Sequence, residues 1–234
     1  MITLRTVRYN DRHSIVSAYT LERGRMSFLQ PAGAGREASR RRALMMPLGL
    51  VEGVADMRPG RDVHPLGQTR ALEPLAQLRS NPVKMSLAMF LAEVLGAILR
   101  DAQPDPLIWR YVAESVRVLD ALPGSRLANF HICFLMRLGP LVGIEPDTSS
   151  YAPGRLFDMA DGIFRLTAPT HRDYLPPDES AAIYQMTRIS YANMHLFAMT
   201  RDERARMLDG VLHYYSIHYA PLGNLHSLDI LRGL

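Results

Sequence analysis

The hydrophobic period of this chain changes near residue 80, and that change limits the folds open to it. Before it, apolar residues recur at every second position. After it they recur at every third or fourth. Ile2 to Tyr9 sets Ile2, Leu4 and Thr6 on one face, with Arg5, Val7 and Tyr9 on the other. Ser14 to Leu21 is β-branched and aromatic, and Glu22-Arg23-Gly24-Arg25 is a turn with glycine where a positive φ is needed. Met26 to Leu29 completes a hairpin, Pro47 to Met57 reads as a fourth strand and Gly67 to Leu72 as a fifth. Five short strands without a helical period predict a small barrel, because closure removes exposed strand edges.

From residue 81 the signals are helical. Asn81-Pro82 and Asp105-Pro106 each pair an N-cap residue with proline at the first helical position. Met85, Met89, Ala92, Leu95 and Leu99 form one stripe; Trp109, Val112, Val116 and Leu119 form another. Leu127 to Leu138 predicts a third, very apolar helix. Residues 144–180 are rich in Pro, Asp and Ser, with a hairpin expected from Arg155–Met159 and Ile163–Leu166 about Ala160-Asp161-Gly162. Asp178 to Phe197 and Asp202 to His218 predict two further helices, the latter opened by a Thr200/Glu203 capping box, and Leu225 to Leu231 a short last one. The expected architecture is α+β: residues 1–80 as a five-stranded barrel, for which the OB-fold is the form of this size, and residues 81–234 as a mainly helical domain with a small insertion hairpin.

Composition narrows the class. With 234 residues and 47% hydrophobic content, a core needs no staples. One cysteine, Cys133, excludes a disulfide framework or a cysteine-based zinc module. The N-terminal residues carry charges throughout and no stretch is apolar enough to span a bilayer, so a cytoplasmic setting is expected. The net charge of +4 conceals an asymmetry: residues 1–80 hold 13 Arg and 7 acids, whereas residues 81–234 hold 14 basic and 16 acidic residues. Lys84 is the single lysine. A basic front and a slightly acidic rear point to different partners at the two ends.

No catalytic constellation emerges. The eight histidines show no pair at metal-binding helical spacing. GxSxG is absent, and Cys133 sits mid-helix, where an inert buried thiol is expected. Gly33-Ala34-Gly35 lacks the Lys-Ser/Thr pair of a phosphate loop, and Asp158/Asp161 lie in a turn. What remains is basic. Arg36, Arg40, Arg41 and Arg42 follow a Gly/Ala-rich approach, read as a mobile loop able to fold onto a phosphate backbone. Arg5, Arg8, Arg12, Arg23 and Arg25 lie on or beside the strands, interleaved with Tyr9, Tyr19 and Phe28 as candidate stacking platforms.

Several segments, in order, resemble one family. Leu4-Arg5-Thr6-Val7-Arg8-Tyr9-Asn10-Asp11, Ser14-Ile15-Val16, Tyr19-Thr20 and Gly24-Arg25 resemble the opening of the RecO proteins, bacterial mediators of DNA repair and recombination. Pro47-Leu48, Leu135-Met136-Arg137-Leu138-Gly139 and Leu225-His226-Ser227-Leu228-Asp229-Ile230-Leu231 fit the same family in order. The resemblance covers essentially the whole chain. It implies an N-terminal OB-fold and a helical C-terminal domain.

It further implies a non-enzymatic protein of the cytoplasm and nucleoid. Such a protein binds single- and double-stranded DNA, anneals strands, and with RecR loads RecA onto strands coated by single-stranded DNA-binding protein. The family meets the acidic, apolar C-terminal tail of that coating protein through its helical domain. Arg126, Phe130, Phe134 and Arg137 on the most apolar helix are the candidate seat here. Many members hold zinc on four cysteines in an insertion; residues 147–178 contain none, so neither metal nor cofactor is expected. An RNA-binding OB-fold adaptor is the alternative.

Overall fold

A computed structural model describes residues 1–219, 222 and 225–232. Packing divides the chain into two compact units, Met1–Ala121 with Leu225–Leu234, and Leu122–Asn224. The change of period at residue 80 therefore lies inside the first unit.

In the first unit β1 (Ile2–Arg8), β2 (His13–Thr20) and β3 (Gly24–Pro31) form an antiparallel meander. After α1 (Arg36–Leu44), β4 (Val51–Ala55) and β5 (Val63–Ala71) pair antiparallel, and β5 runs parallel to β3. The order is β1-β2-β3-β5-β4, and an Ile2–Leu50 bridge joins the two edges. The predicted closed barrel is therefore present. Val16, Ala18, Phe28, Met45, Val51 and Leu66 fill it.

The predicted fourth strand is trimmed because Leu48 adopts φ 58°. The fifth begins earlier than expected: Pro65 lacks a donor, yet His64 and Leu66 still alternate inward beside it. Residues 36–44 are a helix rather than a mobile loop. Arg, Ala, Glu and Leu favour helix, Ala38 and Met45 are buried, and Glu37 pairs with Arg41 one turn on.

A short α2 (Ala76–Ser80), which sequence did not predict, precedes α3 (Pro82–Ile98) and α4 (Pro106–Ala121). Asn81 Oδ1 accepts from Val83 N and Lys84 N at 2.9 and 3.2 Å, and Asp105 Oδ1 from Leu107 N at 2.7 Å, so both predicted caps form. Lys84 is buried and donates to the Asp120 carbonyl at 2.6 Å, placing a cation at the C-terminal end of α4. The final helix, α8 (His226–Arg232), packs on α3.

The second unit holds α5 (Phe130–Leu138), a small sheet of β6 (Leu156–Asp158), β7 (Ile163–Arg165) and β8 (Tyr174–Leu175), then α6 (Pro177–Met186) and α7 (Arg201–His218). The predicted hairpin is β6–β7, with β8 added on the other side of β6. The helix predicted to Phe197 stops at Met186. Ser190 N–H donates to Asn193 Oδ1 at 2.7 Å and Asn193 Nδ2 to the Arg188 carbonyl at 3.0 Å, and these local bonds compete with helix. The Thr200/Glu203 capping box is formed. Among the described residues no helix is long and apolar enough to cross a membrane.

Glu93 ties α8 down. Its carboxylate accepts from His226 N at 3.0 Å, Ser227 N at 2.9 Å and Ser227 Oγ at 2.5 Å. Burial raises its pKa, but the Ser227 and His226 hydrogen bonds outweigh burial and hold it below the usual carboxylate value. A depressed folded-state pKa gives stability that is present above the unfolded value and lost as pH falls through the folded one. Docking of α8 should therefore weaken as pH falls below the ordinary carboxylate range. The protection factors of amides across 226–232 should fall there, and Glu93→Gln should show low protection at every pH.

Candidate nucleic-acid interface

The basic residues form two groups at opposite ends of the β1–β3 meander. β2 is eight residues long, so the turns that flank it are roughly 25 Å apart. At one end the outer half of β1 leaves the core: Arg5, Val7 and Arg8 are exposed, followed by Tyr9 and Arg12. Arg8 pairs with Asp11 at 2.5 Å on the surface. The Arg12 carbonyl accepts from Ala32 N at 2.7 Å, which brings the approach to α1 beside this turn.

Helix α1 has a buried side marked by Ala38. Arg36 and Arg40, one turn apart, lie on the opposite side and are exposed. Arg41 is half-buried and held by Glu37; Arg42 Nη1 donates to the Gly33 carbonyl at 2.9 Å. Gly35 supplies no side-chain cap, so the first N–H groups of α1 lie open beside Arg36. A cation at that position opposes the helix dipole, which favours anions there. Glu37, in the same first turn, complements that dipole.

Arg23 and Arg25 sit at the other end. Arg23 is exposed, while Arg25 is half-buried. The structure corrects two of the proposed stacking platforms. Tyr19 is 0% exposed and Phe28 4% exposed. Phe28 faces into the barrel. Tyr19 faces outward, but residues 103–105 cover it: its hydroxyl donates to the Gln103 carbonyl at 3.1 Å and accepts from Asp105 N at 2.9 Å. Tyr9, 65% exposed, is the aromatic side chain free to stack.

The proposed peptide seat on α5 is also corrected. Arg126 and Arg137 are exposed, but Phe130 and Phe134 are buried. Phe130 stacks on Tyr191 with ring centroids 5.2 Å apart. From Phe130 to Leu135 every residue of α5 is buried, the pattern of a central core helix. Burial pushes the Cys133 thiol up to about 12, and burial with the nearby Arg204 pushes His131 down to about 3, so neither is charged at neutral pH.

The open apolar feature of this unit lies elsewhere, in a groove of about 780 Å³ along α6 and the start of α7. Ile183, Met186, Phe197 and Met207 line it, with Arg188 and Arg206 exposed at its border. Arg188 sits over the Tyr184 ring at 5.0 Å. An excess of methionine is the one sequence signal that points to such a surface, although the Met-rich helical stripes read most simply as core.

Residues 1–75 match the family described as Recombination protein O N terminal, and residues 79–229 match Recombination protein O C terminal. The chain belongs to the recombination protein O family. It is 38% identical over 233 residues to the DNA repair protein RecO of Phocaeicola vulgatus, covering 100% of this chain and 96% of the relative. The RecO proteins of Bacteroides fragilis, at 36% over 234 residues, and Porphyromonas gingivalis, at 37% over 238, are covered equally. RecO family membership gives the chain a role in DNA repair.

The zinc of many RecO proteins does not fit here. The insertion supplies no thiolate and one imidazole, His171, whose Nε2 lies 3.4 Å from Asp158 Oδ1; the nearby His213 on α7 has its Nε2 2.8 Å from Asp173 Oδ1. No group of three or more metal-ligating side chains occurs among the described residues. A buried carboxylate organises the insertion instead. Asp158, 1% exposed, accepts from Arg165 Nε at 2.7 Å and from Ala160 N and Asp161 N at 3.1 and 3.2 Å. A chelator should leave the melting temperature unchanged, with no stoichiometric zinc by elemental analysis. Asp158→Ala should lower the melting temperature on the order of 5 °C and open residues 159–173 to proteolysis.

Proposed function

We propose that the protein is a non-enzymatic mediator of recombinational repair that binds single- and double-stranded DNA and promotes annealing. The carrying observation is α1, whose exposed Arg36 and Arg40 stand beside an uncapped helix N-terminus and the Arg12 turn. Duplex DNA carries one charge per ~1.7 Å of axis. Two strands brought together repel unless those charges are neutralised, and a rigid row of guanidinium groups does this without reading sequence. Together with RecR, the protein would then load RecA onto strands coated by single-stranded DNA-binding protein. The acidic, apolar tail of that protein is assigned to the α6–α7 groove. Its apolar residues would meet Met186 and Met207, and its carboxylates Arg188 and Arg206. Asp178, Glu179 and Glu203 also line the groove; Glu203 is engaged by Thr200, and the two arginines lie just past the end of α6 and on α7, where the tail's carboxylates would have to sit.

Alanine at Arg36, Arg40, Arg41 and Arg42 should weaken binding about equally across sequences. The slope of log K against log salt should flatten by up to ~0.9 for each duplex phosphate that is no longer neutralised. An unchanged slope would show that α1 is only a solvated face. Equal competition by RNA would favour the RNA adaptor. In the same preparation, Arg188→Glu with Arg206→Glu should abolish binding of a labelled acidic-apolar tail peptide and leave DNA affinity intact.

A further inference from the structure

The α1 surface leaves the other end of the meander unexplained. There the turn after β2 is pressed against the corner between α3 and α4. Arg25 N–H donates to the Ala102 carbonyl at 3.0 Å. A Cβ on Gly24, at φ 66°, would lie 2.2 Å from that same oxygen, so only glycine permits the approach. The Tyr19 hydroxyl fixes Gln103 and Asp105 in the same corner.

This rigid seam carries two guanidinium groups, Arg25 and Arg100. Nη1 of Arg25 is buried without a hydrogen-bond partner among the described residues. Burial, and after it the charge of Arg100, hold the Arg25 guanidinium below its usual pKa. Arg100 is exposed, two residues before the accepting carbonyl. Neither arginine belongs to the salt bridges formed among the described residues, and nor do Glu22 and Asp101, the acids closest in the chain. A seam built only for stability would place a carboxylate between two such cations. This one instead sets Arg100, two residues before the carbonyl that accepts from Arg25 N, at the same corner as Arg25 and leaves a buried donor unsatisfied.

We propose that Arg25 and Arg100 form a second phosphate seat, taking one phosphodiester group of a DNA strand at the end of the barrel opposite α1. The assignment rests on the DNA-binding reading above and extends it: the strand would run the length of the barrel and onto the α3–α4 corner. A phosphodiester suits the pair because its two non-bridging oxygens can each accept from one guanidinium. Arg100 is the group sequence reading passed over, because it lies in the helical half and far in the chain from the basic run.

The test uses the full chain and a 30-nucleotide oligothymidine, titrated across salt concentrations, with polyglutamate as a second probe. Arg100→Gln should flatten the salt slope by ~0.7, the value for one single-strand phosphate. Arg100→Lys should retain most of the slope, and neither variant should lower the melting temperature. The effect should add to that of the α1 quadruple variant, because the two sites act independently. If Arg100→Gln leaves the slope unchanged while the α1 variant flattens it, the seat is wrong and the DNA-binding reading stands. If the wild-type chain shows no salt-dependent DNA binding, both fail. If Arg100→Gln no longer binds polyglutamate but keeps oligothymidine, the pair serves an acidic protein and the phosphate assignment is overturned.

Discussion

The buried hydroxyl of Tyr19 is the hinge-pin of the first unit. It is bonded on both sides, to the Gln103 carbonyl and the Asp105 amide, across 84 and 86 residues of chain. Asp105 in turn caps α4 through its side chain. One phenol thus connects a barrel strand to the start of a helix. With the Gly24 contact beside it, the barrel and α3–α4 form one body rather than a module and a tether. A buried polar group so placed is favourable only while both partners are present, which makes the arrangement specific as well as stable. The same seam brings Arg25 beside Arg100, so the electrostatics of that corner follow from packing rather than from proximity in sequence.

Features set by neighbouring residues were legible in the sequence. Asn81, Asp105 and Thr200 cap helices because the capping oxygen and the orphan amides lie within three residues of each other. The strand meander and the β6–β7 hairpin follow from two-residue alternation and turn chemistry. Features set by distant cover were not. Tyr19 and Phe28 read alike as stacking platforms, and two-residue alternation cannot say that residues 103–105 cover Tyr19. Helix α5 has the same defect: Phe130 and Phe134 share a face as expected, yet every residue from Phe130 to Leu135 is buried. The Gly-rich approach to Arg36 obscured a helix whose own residues favour it.

The insertion shows how one buried carboxylate can organise a short sheet. Metal sites bind loops strongly by gathering several ligands on one centre. Asp158 does the same with one carboxylate, gathering a guanidinium and two turn amides, with an imidazole nearby. His171 Nδ1 accepts from Asp173 N at 3.2 Å, so its Nε2 carries the proton that faces Asp158. This centre depends on neither redox state nor metal supply, but it stabilises only a short sheet.

In the proposed DNA-binding role, charge in the barrel would work against folding where it works for binding. Arg36 opposes the α1 dipole, and Arg25 and Arg100 repel across the seam. A polyanion bound to the folded barrel would relieve both, so under the proposed role binding and stability would be linked: whatever affinity DNA gained from these cations, the fold would gain in stability. Salt acts on the two sides of that linkage in opposite senses. It screens the internal repulsion of the free protein, and it removes the counterion-release term that drives association. Under the proposed role, the free chain should consequently be least stable in the low-salt conditions where its association with DNA would be strongest.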